Sequence, residues 1–172
     1  MNAETLRAMQ APLKDQYRED PKAALITLKA EGKLGEGISC RVETGRALVE
    51  AGLHPATGGS GMQACSGDML LEALAACAGV TINAVATAIG VDLRAGTVRA
   101  EGDLDFRGTL GVSKEAPVGF QAIRLHFDLE TEASAEQLAT LIRLTERYCV
   151  VYQTLRHGLE VAVSHTATAA AG

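Results

Sequence analysis

The chain has 172 residues, 47% hydrophobic and 22% charged, which suits one globular domain with a buried core and not a disordered segment. A formal net charge of −5 argues against a nucleic-acid partner, because phosphate binding calls for clustered Lys and Arg. Aromatic residues are only 3% and Trp is absent, so the core fills by close approach of Ala- and Gly-rich backbone more than by rings.

Residues 2–21 are polar and helix-prone, punctuated by Pro12 and Pro21. They are expected to form one or two surface helices, a helical arm over 1–22 that precedes a domain over 23–172. No apolar h-region opens the chain, so no signal peptide is expected and the location is expected to be cytoplasmic. Ala24–Glu31 has a strand pattern, Gly32, Gly35 and Gly37 mark a turn, and Ile38–Glu43 reads as the second strand of a hairpin. Residues 45–52 fit either a strand or a short helix. Residues 53–65 form a Gly-rich loop.

The stretch from Ser66 to Gly90 reads as one long helix. Ser66 is suited to the N-cap, Asp68 places negative charge in the first turn, and Gly90 supplies a left-handed stop. Residues 69–91 are long enough to cross a bilayer, but Glu72 and Asn83 interrupt them and no Lys or Arg closely flanks them. A buried central helix is expected instead, with no membrane partner. Ala73, Cys77, Thr81, Ala84 and Ala88 recur at three or four residues, a small-residue face that suits tight packing on a sheet or against a second copy of the chain.

Thr97–Phe106 alternates as a strand, a loop with Gly108, Gly111 and Pro117 follows, and Gly119–Glu130 alternates again. Ser134 and Gln137 make a capping box that opens a helix to about Tyr148. Leu138, Leu141, Ile142 and Thr145 share one face of it. Leu159–Thr168 reads as a final strand. The order of elements is that of an α+β fold with an antiparallel sheet.

The cysteines are Cys40, Cys65, Cys77 and Cys149. They show no CxxC and no zinc-ribbon spacing, so no structural metal or cofactor is expected. Cys65 and Cys77 cannot pair if the helix forms, since they lie roughly 16 Å apart along its axis and a disulfide tolerates only about 7 Å between Cα atoms. Taken alone, a Cys in an Ala-rich helix reads as a small hydrophobe. His54, in a loop, reads as exposed or at a pocket entrance. His126, His157 and His165 show no ligand spacing.

Two stretches change this reading. DMLLEALAACAGVTINAVA, followed by LTERYCVVYQTLRHGLEV, resembles the OsmC/Ohr family of peroxide-handling proteins, and the likeness runs from about residue 24 to 168. The resemblance implies an intertwined α+β homodimer with long central helices and active sites at the subunit interface. It implies Cys77 as the peroxidatic thiol, Cys149 as the resolving thiol, organic hydroperoxides as substrates, and a dithiol reductant, typically a lipoylated protein. In three places the sequence departs from the family pattern. Val150 stands where Pro often follows the resolving Cys. Gly67 stands where a Glu orients an activating Arg, and Asp68 points away from Cys77. The family's Arg lies near the first hairpin, where this chain offers Lys33, Arg41 and Arg46, with Arg41 the candidate. The competing expectation is a redox-inactive relative that binds a small hydrophobic ligand at the dimer interface. A thiol-based sensor ranks last, because no DNA-binding element is apparent.

Overall fold

The computed structural model describes residues 3–34, 40–42, 51–62 and 64–167, with the backbone alone at 3–7, 9, 27–34, 40–42 and 51. Helix α1 runs Ala3–Glu19 with Pro12 inside it. It is docked by Tyr17, which is 3% exposed and donates its hydroxyl to the Ala56 carbonyl at 2.6 Å. Strands β1 (Leu25–Leu34) and β2 (Cys40–Val42) form the expected hairpin, with Lys33 opposite Arg41. The two short strands β3 (Ala51–Gly52) and β4 (Ala64–Cys65) pair in parallel and bracket the Gly-rich loop. Residues 43–50, most of the ambiguous stretch, lie outside the described residues.

Helix α2 spans Ser66–Ile89. Its N-cap is Cys65, so Ser66 is already helical and no side chain caps this end, one residue off the expected cap. Gly90 closes the helix at φ 72, a left-handed conformation that costs a glycine little, and its N–H bonds the Ala86 carbonyl. Length and apolar composition would let α2 cross a membrane. Here one face lies on protein: Leu71, Leu74, Ala75, Ala78 and Ile82 are at most 1% exposed.

Strands β5 (Ala95–Asp105) and β6 (Ala122–Glu130) complete an antiparallel sheet in the order β2-β1-β5-β6. The register sets Val98 against Phe127, Ala100 against Leu125 and Gly102 against Ile123, so one face of the sheet is apolar and receives α2. On β6 the alternate residues, such as Arg124, His126 and Asp128, are exposed. Gly102 leaves room on that apolar face, since a Cβ there would meet the Phe120 ring at 2.4 Å. Between β5 and β6, the short α3 (Phe106–Thr109) starts at Asp105. Asp105 is 1% exposed and accepts from the Arg107 N–H at 3.0 Å and from its guanidinium at 2.5 Å. That pairing holds the carboxyl below its ordinary range.

Helix α4 (Ala135–Tyr148) opens on the complete capping box of Ser134 and Gln137. It packs Leu141 and Thr145, both at most 1% exposed, toward Ile82, Val85 and Ala86 of α2. A further helix that the sequence pattern did not announce, α5 (Val150–His157), follows at once and also packs on α2. The expected final strand does not form: 158–167 has no regular structure, and Leu159, Val161 and Val163 are 65%, 74% and 90% exposed. The alternation is real, but within the described residues this segment meets no strand to pair with.

Candidate functional site

Cys149 stands at the break between α4 and α5. Its backbone is extended (φ −71, ψ 108), so it ends one helix and begins the next. Its N–H donates to the Thr145 carbonyl at 2.9 Å and its carbonyl accepts from the Gln153 N–H at 2.9 Å. The Gln153 side chain turns back and donates to the Glu146 carbonyl at 2.7 Å, which satisfies one of the acceptors that the end of α4 would otherwise leave open. The chain therefore changes direction with its backbone groups paired.

This break aims the first turn of α5 at α2. Cys77, half-buried on α2, lies in hydrogen-bonding reach of the Val151 and Val150 N–H groups, the Cys149 thiol and the Thr81 hydroxyl. Thr81 is one turn further along the same helix, which puts it on the same face. Burial pushes the Cys77 thiol up, but these donors together outweigh burial and bring it below its usual value. Cys149 is 1% exposed. Burial, first, and the shared hydrogen with Cys77 push its thiol up to about 11, against the pull of the Tyr152 and Val151 N–H groups. The two sulfurs thus differ in charge tendency while touching the same helix start. Both are free thiols, as is Cys65.

The structure brings Cys77 and Cys149 together. Arg41 is on β2, where its side chain, like those of Lys33 and Cys40, lies outside what is described; Arg46 lies outside the described residues altogether. Among the described residues, the groups that lower the Cys77 pKa are neutral donors. Asp68 faces elsewhere: it is partly desolvated, which raises its carboxyl, and nearby His54 offsets part of that rise. His54 is half-buried, stacks on Phe106 at 5.0 Å and accepts from the Ala56 N–H through Nδ1. The α5 donors carry no signal as a motif, because a backbone N–H belongs to every residue but Pro, whereas Thr81 is legible only as a member of the small-residue face it shares with Cys77.

Two clefts open on the same core. One, of about 380 Å³, lies between α2, β6 and α5 and is lined by Leu74, Phe120, Ile123, Leu125, Tyr152 and Arg156, among others. The second, of about 330 Å³, lies at the start of α2, with His54, Cys65, Phe106 and Phe120 in its wall. Among the described residues no cluster of His, Cys, Asp and Glu could hold a metal ion.

A family model described as OsmC-like protein matches residues 58–164, a span that contains both thiols and both helices bearing them. Two solved structures share the fold. One is an OsmC-like hydroperoxide resistance protein from Jannaschia sp. CCS1, 18% identical, with 85% of this chain and 95% of that chain covered at a TM-score of 0.57. The other is an OsmC-like protein from Mycoplasma pneumoniae, 18% identical, with 78% and 86% covered at a TM-score of 0.55. None of the curated protein sequences matches at a significant level.

Proposed function

The chain belongs to the OsmC-like family, and from that premise we propose that it is a thiol-dependent peroxidase that reduces organic hydroperoxides, with Cys77 attacking and Cys149 resolving. The observation that carries the reading is the meeting of the two thiols at the start of α5, with Cys77 shifted toward the thiolate and Cys149 held as the thiol.

The chemistry follows from that difference. The Cys77 thiolate attacks the outer peroxide oxygen; an S–O bond forms, the O–O bond breaks, and the leaving alkoxide takes a proton to become the alcohol. Cys77 is then a sulfenic acid. The Cys149 sulfur attacks it, an S–S bond forms, and the sulfenic oxygen leaves as water with the Cys149 proton. An external dithiol, of the kind carried by a lipoylated protein, reduces the disulfide by exchange and is itself oxidised to a disulfide. The N–H groups of Val150 and Val151 support the thiolate, since the positive end of a helix favours an anion.

The working unit in this proposal is an intertwined homodimer. What supports it is apolar surface that one copy leaves uncovered: Met69, Leu70 and Val80 on α2 and Leu159, Val161 and Val163 beyond α5 are all more than a third exposed.

The test is to mix the reduced protein with cumene hydroperoxide and titrate thiols. One pair per chain should disappear and return with dihydrolipoamide. A Cys77→Ser protein that consumes peroxide like the parent would sink the proposal, and so would an unchanged thiol count in the parent.

A further inference from the structure

One torsion makes the break at Cys149. Its φ of −71° is already helical, and only its ψ of 108° departs from the value of about −42° that would run α4 straight into α5. In a continuous helix the N–H groups of Val150, Val151 and Tyr152 would donate to the carbonyls of Glu146, Arg147 and Tyr148. On either side of the break that ladder is intact. The Cys149 N–H meets the Thr145 carbonyl and the Gln153 N–H meets the Cys149 carbonyl, each at 2.9 Å. The N–H groups that the break releases are those that act on the two sulfurs: Val150 and Val151 on Cys77, Val151 and Tyr152 on Cys149. Each of them has an alternative partner one turn back in α4.

For Val150 that alternative is already taken. The Glu146 carbonyl, to which its N–H would return, accepts from the Gln153 side-chain amide at 2.7 Å. Gln153 is half-buried and spans the break, its backbone in α5 and its amide on the last turn of α4. We infer that Gln153 is a positioning residue: by occupying the Glu146 carbonyl it keeps the Val150 N–H turned toward Cys77 and out of the α4 ladder. A side-chain donor thus replaces, at the end of α4, the backbone donor that the thiol uses. An open carbonyl at a helix end calls for a donor, and without the amide the one that helix geometry offers is the Val150 N–H. This rests on the proposed peroxide chemistry only for the use made of the thiolate; the ionisation of Cys77 is the same matter with or without peroxide.

The experiment is alkylation of the reduced, full-length protein with iodoacetamide, the rate at Cys77 being followed against pH by peptide mapping. Gln153→Met keeps the length and helix propensity of the side chain and removes the donor. It should slow Cys77 about threefold near neutral pH, the effect of one neutral hydrogen bond. The parent and variant rates should converge once the pH ionises the thiol in both. The deciding arm repeats the substitution in the Val150→Pro protein. Proline has no N–H to lose and holds the residue before it extended, so there Gln153→Met should change the rate by a factor near one. Gln153→Glu, which keeps the shape and cannot donate once ionised, serves the same comparison should the Met variant fail to fold, and a circular dichroism spectrum checks each protein. An unchanged rate in Gln153→Met overturns the inference. Equal slowing in both backgrounds overturns it too, the result expected if Gln153 merely steadies α5. So does slowing that persists at high pH, which would report access and not ionisation. No peroxide enters the measurement, so a protein inert to peroxide would leave it intact, and its failure would leave the thiol chemistry standing.

Discussion

The Val151 N–H, in the first turn of α5, is the donor that acts most strongly to lower the pKa of Cys77 on α2. That N–H belongs to a helix start held in place by the break at Cys149. Its neighbour Val150 contributes a second N–H because it is not proline.

Val150→Pro should therefore raise the Cys77 pKa and slow its reaction with cumene hydroperoxide several-fold near neutral pH. Proline is tolerated in the first turn of a helix, so α5 itself should survive. The check is the ultraviolet absorbance of the thiolate against pH. An unchanged titration would remove the N–H of Val150 from the account.

Alkylation with iodoacetamide should resolve the described pair in two steps. Cys77 reacts below the usual thiol range, and Cys149 only as the pH nears about 11. Cys149→Ala should move the first step upward, because the Cys149 thiol is one of the donors holding Cys77 down. The linkage to stability has opposite signs for the two. Cys149 is raised, so its share of stability is whole below the ordinary value near 9.0 and drains away as the pH climbs through about 11. Cys77 is lowered, so its share appears above the ordinary thiol value and is lost as the pH falls through its folded value.

Asp105→Asn should destabilise the fold at neutral pH, since the buried carboxylate binds both the Arg107 N–H and its guanidinium. The folded carboxyl is depressed, so this stability is present above the ordinary carboxylate value near 3.8 and vanishes below it. Urea midpoints of parent and variant should accordingly converge as the pH is lowered past that point.

Gly102→Ala should cost about 1–3 kcal/mol, the usual penalty for overpacking. A Cβ there would stand 2.4 Å from the Phe120 ring and 3.3 Å from Leu71. Strand propensity alone would favour alanine, so a loss in denaturant stability reads the clash directly.

Ser134→Ala should cost about 1 kcal/mol through the lost capping box and lower the thermal midpoint. Because α4 carries Cys149 at its far end, the same variant tests whether fraying of that helix loosens the thiol pair.

Local signals in the sequence translated well. Ser134 with Gln137 opened α4, Gly90 closed α2, and the alternation of residues 97–105 and 122–130 gave two neighbouring strands, because each rests on chemistry within a few residues. The reading failed where the answer lay elsewhere in space. Leu159, Val161 and Val163 alternate like a strand, but a strand needs a partner and none lies among the described residues. Helix α5 was missed because Val150 and Val151 are weak helix formers and the break at Cys149 depends on Gln153 folding back to Glu146. The two thiols were identified through their resemblance to a family, and their meeting depends on how α5 is seated. The backbone donors of Val150 and Val151 could not be read at all, since backbone groups leave no letter behind.

Phe120 belongs to the lining of both clefts and sits over the bare backbone of Gly102. The two chambers thus share a single aromatic partition. The size of that ring therefore bears on both rooms at once, the one beside Cys65 and the one lined by Arg156.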